Sequence, residues 1–166
     1  MTGKRPQAPG VPPVVTAIGG HAKILTLTLI RGECQLLDLR DGDVIDSLRL
    51  TLRGGGHKDA ALPRLVCTFG VVVEPVAKGR DTSPVAKISC EYGLQYDIDD
   101  PALFAKTSEH DAELFAAYNA SVNAWPHARE FVQSMAARMV LPPVVLPLFR
   151  PSELIPSPEK WQKTSG

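Results

Sequence analysis

The chain has 166 residues, 44% of them apolar and 22% charged, and its eighteen basic and eighteen acidic side chains cancel to zero net charge with histidine neutral. That length suits one domain with its own core. The balanced charge argues against a partner held by neutralised phosphates, so nucleic acid is not expected. No apolar run approaches the roughly 20 residues that span a bilayer, so no membrane insertion is expected.

Residues 1–20 hold Pro6, Pro9, Pro12 and Pro13 and read as a Pro-rich disordered tail. Lys4 and Arg5 stand there without an apolar h-region, so a signal peptide is not expected. A folded unit over 21–155 follows. From Lys23 the pattern is strand-like: Leu25, Leu27 and Leu29 alternate with Thr26 and Thr28. Gly32 invites a bulge, and the run continues through Cys34, Leu36 and Leu37 to a turn at Asp41-Gly42. Leu48, Leu50 and Leu52 alternate with Arg49, Thr51 and Arg53 in a short strand ended by Gly54-Gly55-Gly56. A third apolar run, Leu65 to Val73, stops at Pro75, and Lys78 to Ser83 forms a polar hairpin loop holding Gly79.

The fourth run is the clearest. Ala86, Ile88, Cys90, Tyr92, Leu94, Tyr96 and Ile98 share one face, with Lys87, Ser89, Glu91, Gly93, Gln95 and Asp97 on the other. After Asp99-Asp100-Pro101 the period turns helical. Ala112 to Tyr118 is a short helix, and a stronger one opens near Trp125-Pro126, with proline at an early position. Its apolar stripe is Ala128, Phe131, Val132, Met135, Met139 and Val140, and Pro142-Pro143 ends it. Strands first and helices last give an α+β fold: a four-stranded antiparallel sheet with a C-terminal helix packed on one face. Residues 156–166 read as a flexible tail.

Nothing in the chain spells out bond chemistry. Cys34, Cys67 and Cys90 are odd in number and far apart, without a CxxC pair; each sits in an apolar, strand-like context and reads as a reduced core thiol of a cytoplasmic protein. Ser157 and Lys160 spell SxxK inside a Pro-rich stretch that could not activate a serine. The Gly54–Gly56 triplet with His57-Lys58 lacks the spacing of a phosphate loop and reads as a flexible turn. His21, His57, His110 and His127 lack metal-ligand spacing. Asp97, Asp99 and Asp100 are better explained by a strand end meeting a Pro turn than by a cation. No catalytic residue, metal or cofactor is expected. What stands out is Leu141–Phe149, six large apolar residues among three prolines, a packed connector or part of an open groove.

The stretch from Asn123 to Phe149 resembles the C-terminal signature of the SecB family of export chaperones. Trp125, Pro126, Arg129 and Glu130 take the places of its aromatic-Pro-aromatic-x-Arg-Glu opening. Ser134, Met135 and Arg138 match its SM-x-x-R turn, and Pro142 matches its proline-containing connector. Ser89-Cys-Glu-Tyr92 is similar to the family's L-C-E-V, and Leu48-Arg-Leu-Thr-Leu52 to its crossover strand. The resemblance spans Lys23 to Leu154. It implies an ATP-independent holdase in the cytoplasm, a dimer of dimers, whose apolar grooves clasp unfolded polypeptide.

By that resemblance the peptide-binding residues are Leu48, Leu50, Leu52, Val144, Leu146, Leu148 and Phe149. The family also carries an acidic surface for the SecA motor, to which Glu91 and, loosely, Glu33 correspond; Ser89 replaces an apolar neighbour there. The family's second amphipathic helix is cut short here by Pro156 and Pro158. The Pro-rich end looks more like the SecB-like chaperones that protect an antitoxin. Three readings follow: an antitoxin chaperone, a general export chaperone delivering preproteins to SecA, or a small-ligand or nucleic-acid module.

Overall fold

A computed structural model describes residues 10–80 and 83–148. Strands β1 (Ala22–Leu36), β2 (Ile45–Lys58), β3 (Arg64–Ala77) and β4 (Ala86–Ile98) form one antiparallel sheet in the order β1-β4-β3-β2. Period-two alternation decides which face is buried. In β4 the inward residues from Ala86 to Ile98 are all buried, and Leu65, Cys67, Phe69, Val71 and Val73 of β3 stand beside them. The α+β architecture expected from the sequence is the one observed.

Helices α1 (Pro13–His21), α2 (Pro101–Lys106), α3 (Glu109–Phe115) and α4 (Ser121–Arg138) complete the fold, with a π-helical turn, Ala116–Ala120, between α3 and α4. Asp100 caps α2 by accepting from the N–H groups of Ala102 and Leu103, and Ser108 with Asp111 forms a capping box for α3. Two tyrosines of β4 fasten α4 across the sheet. The Tyr92 hydroxyl donates to the His127 carbonyl at 3.0 Å, and the Asn123 amide donates to the Tyr96 hydroxyl at 2.9 Å. Tyr96 also meets Phe115 edge-on, with centroids 5.0 Å apart.

Several elements differ from the sequence-based expectation. The segment read as a tail to residue 20 is helical from Pro13, because Val15 and Ile18 are buried in the core. The helix does not start at Trp125-Pro126: α4 begins at Ser121 and carries Pro126 inside. Proline leaves the Val122 carbonyl without its helical partner, but both residues are exposed, so water can satisfy it. The β1 register shifts fall at Leu25 and Ile30, not at Gly32. Gly32 serves close approach, since a Cβ there would lie 2.6 Å from Phe131 Cζ. β3 continues past Pro75, which lies beyond the last β3–β4 pair, Val73 with Ile88. Cys34 is exposed on β1, and only Cys67 and Cys90 are buried.

The glycine triplet is no turn. It lies within β2, where Gly54, Gly55 and Gly56 pair with Phe69, Thr68 and Cys67. A Cβ on Gly56 would stand 2.5 Å from the Ala112 carbonyl oxygen and 2.8 Å from Ala116 Cβ, so the missing side chain lets α3 and the π-helical turn lie on the sheet. Lys58 then reaches the carbonyls of Phe104 and Thr107, at 2.8 Å each, and caps the end of α2. Gly56→Ala should therefore cost about 1–3 kcal/mol in urea unfolding, as overpacking against backbone does. Gly55→Ala, with nothing within 4 Å of its added Cβ, should stay within about 0.5 kcal/mol of the parent.

Candidate functional site

The helices do not cover the apolar face evenly. On edge strand β2, Leu48, Leu50 and Leu52 stand opposite Pro75, Val73 and Val71, on the helix side of the sheet. All three are half-buried and pack against the central cluster. On the other edge, Ile24, Leu29 and Leu36 pair with Tyr96, Tyr92 and Ala86, and stay exposed on that same face.

The connector after α4 adds further cover to the core. Leu141, Val144 and Leu146 are buried and join the cluster that Leu48, Leu50 and Leu52 pack against. Leu146 is 1% exposed, whereas Leu148 is 73% exposed, so alternation in an irregular segment sends one residue to the core and the next but one to solvent. The Trp125 indole Nε1–H donates to the Pro147 carbonyl at 3.2 Å, and its ring meets Phe69 edge-on at 6.3 Å. Burying such a side chain contributes about 1.5–3 kcal/mol, and ordering each residue of the segment costs about 1–2 kcal/mol. Leu141, Val144 and Leu146 are thus the buried anchors of the connector.

Of the residues expected to bind peptide, Leu48, Leu50 and Leu52 keep part of their surface, and Leu148 keeps most of it. Val144 and Leu146 are turned into the core, and Phe149 lies outside the described residues, as do Ser157 and Lys160. Glu33 and Glu91 share the sheet face opposite the helices, with Ser89 and Arg31 as their cross-strand partners. The Arg31 guanidinium takes the Glu33 carboxylate at 2.6 Å, and Arg53 stands one strand beyond Glu91, across Gly70. That face is thus of mixed sign.

Burial pushes the Cys67 and Cys90 thiols up to about 12, which suits buried hydrophobes rather than nucleophiles. Among the described residues there is no group of three or more His, Cys, Asp or Glu that could hold a metal, and Asp99 is engaged by His21 at 2.9 Å and Lys23 at 3.3 Å. No described helix is long and apolar enough to cross a membrane. Sequence reasoning missed the role of Trp125 as a donor to the connector. Val140, expected in the apolar stripe of that helix, instead lies past its end and is exposed, at the turn into the connector, with φ of 56°. Pro142-Pro143 signalled that the helix must stop, but nothing in a valine signals a left-handed backbone.

No protein-family model matches the chain, and no curated protein matches it. Among solved structures, a SecB-like chaperone of Mycobacterium tuberculosis, in complex with a ChAD peptide from an antitoxin, matches with a TM-score of 0.67. The two are 20% identical, and the match covers 82% of this chain and 96% of that one. The fold is that of a SecB-like chaperone. A protein of unknown function from Streptococcus agalactiae, 12% identical, covers 76% of this chain and 97% of its own. Its TM-score of 0.33 is too low to bear on the reading.

Within this SecB-like fold, connector residues should separate by burial. Leu146→Ala should cost about 2–5 kcal/mol, as emptying a core site does. Leu148→Ser should leave stability within about 0.5 kcal/mol. Chemical denaturation of both variants checks the division.

Proposed function

We propose that the protein is an ATP-independent holdase that clasps unfolded polypeptide along Leu48, Leu50, Leu52 and the connector of Leu146 and Leu148, with Phe149 continuing the set. The observation that carries this reading is a half-covered apolar row on an edge strand, packed against the same core cluster as an apolar connector, in a chain with a SecB-like fold. Such a surface selects clients by physics. A client residue gains about 1.5–3 kcal/mol by burying a Leu or Phe and loses about 1–2 kcal/mol on being ordered. Apolar-rich, already unfolded segments come out ahead, without any reading of sequence. The reading includes no catalysis and a cytoplasmic location, both resting on the sequence resemblance to SecB.

An antitoxin is the favoured client, since the structural relative is a SecB-like chaperone bound to an antitoxin peptide. Delivery of preproteins to SecA is the second reading, and Glu33 and Glu91 would serve it. Their arginine neighbours Arg31 and Arg53 favour the first, because they dilute the acidic surface that motor docking uses.

The reading also includes assembly into a dimer of dimers, supported by the edge of β1, unpaired among the described residues, with its exposed Ile24, Leu29 and Leu36. Light scattering at micromolar concentration and physiological salt should give a dimer or tetramer mass; a monomer mass would overturn the assembly. For the groove, Leu50→Ser and Leu148→Ser should each weaken binding of a labelled, permanently unfolded polypeptide by about 1–2 kcal/mol while the fold is kept. Fluorescence anisotropy alongside melting temperature measures both. Unchanged affinity in two folded variants would place the groove elsewhere.

A further inference from the structure

The junction between α4 and the connector is built in an unusual way. The Leu141 N–H donates to the Ala136 carbonyl at 3.0 Å and the Val140 N–H to the Ala137 carbonyl at 3.1 Å. This is the hydrogen-bond pattern of a helix stop that turns on one left-handed residue, a place usually held by glycine. Here it is held by Val140, at φ 56°. A β-branched side chain is disfavoured in that conformation because its Cβ crowds the following carbonyl. Packing does not compensate, since Val140 is 83% exposed. Strain held at an exposed position must be balanced by the connector beyond it, through the burial of Leu141, Val144 and Leu146 and the bond from Trp125 to the Pro147 carbonyl.

We infer that Leu141–Leu148 is a strap with Val140 as its strained hinge and Trp125 as its latch, and that the strap lifts to admit client. In the empty protein the strap's inward residues fill part of the apolar cluster flanked by Leu48, Leu50 and Leu52. Lifting it releases the left-handed backbone at Val140 and turns Val144 and Leu146 from core into contact surface. Pro142, Pro143 and Pro147 keep the lifted strap extended, so it loses less order than a flexible loop would. Valine at the hinge thus biases the strap toward opening, where glycine would bias it shut. The inference rests on the holdase reading for the identity of the entering chain, but the hinge and latch stand on the geometry of this protein.

The test is Val140→Gly in the full chain. Glycine takes the left-handed conformation freely, and the exposed valine side chain gives up no core contact. The left-handed penalty for a side chain, partly offset by the freedom glycine gains in the lifted strap, corresponds to a shift of about three- to tenfold toward the closed state. Hydrogen exchange of the Leu141 amide and the Trp125 indole N–H, corrected for intrinsic rates, should slow by that factor. Affinity for a reduced, carboxymethylated and fluorescein-labelled polypeptide should weaken by the same factor. Trp125→Phe, which keeps the ring and removes the donor, should speed exchange of the Leu141 amide and tighten binding.

Slower exchange with unchanged or tighter binding would overturn the gating and leave the holdase reading intact. Exchange that does not slow in Val140→Gly would overturn the hinge. If the parent protein binds no unfolded polypeptide, the holdase reading falls and takes the gating with it, while the exchange data still decide whether the strap opens at Val140.

Discussion

The structure depends on one mismatch of areas. β3 and β4 present an unbroken apolar face, from Leu65 to Val73 and from Ala86 to Ile98, and that face has to be removed from water. The helices from α2 to α4 cover its middle, held there by Tyr92 and Tyr96 and admitted close to β2 by Gly56. They do not reach far enough to close over both edges. Leu48, Leu50 and Leu52 on β2 and Ile24, Leu29 and Leu36 on β1 are left partly or wholly uncovered. A protein that folds this way has surplus apolar surface at both sheet edges, and such surface marks an interaction site.

The two edges answer that surplus differently. β1 offers a long strand with one edge open among the described residues; its register is shifted at Leu25 and Ile30, and Ile30 is brought over Gly93 on the face away from the helices. The leucines of β2 pack against the same cluster as an apolar connector that is anchored by few side chains and begins at a strained residue. The buried thiols of Cys67 and Cys90 act as core atoms.

How much of this could be read from the sequence depends on how local each cause is. The inward row of β4 obeys a period that only a strand satisfies, and the sheet, its antiparallel sense and the helices after Pro101 were legible for that reason. The alternation of Leu48, Leu50 and Leu52 located the apolar row but not how far it would be covered. Gly54–Gly56 was misread because its cause is tertiary: a backbone carbonyl at Ala112, distant in sequence, forbids a Cβ at Gly56. The same holds for Gly32 beneath Phe131. The start of α4 was misplaced because Pro126 looks like a first-turn proline and is tolerated within the helix only at a solvent-facing position. In the connector, composition could not tell which residues face inward. The choice of Val144 and Leu146 for the core depends on where Trp125 and the rest of the cluster stand.

The central claim is that the surplus apolar surface exists to hold non-native chains. The most direct measurement is the aggregation of a chemically denatured protein diluted into buffer with increasing amounts of the full chain and no nucleotide, followed by light scattering. The account expects scattering to fall to baseline near stoichiometric ratios, with the denatured protein recovered in a soluble complex. Aggregation at an unchanged rate with the full chain in several-fold excess would contradict it.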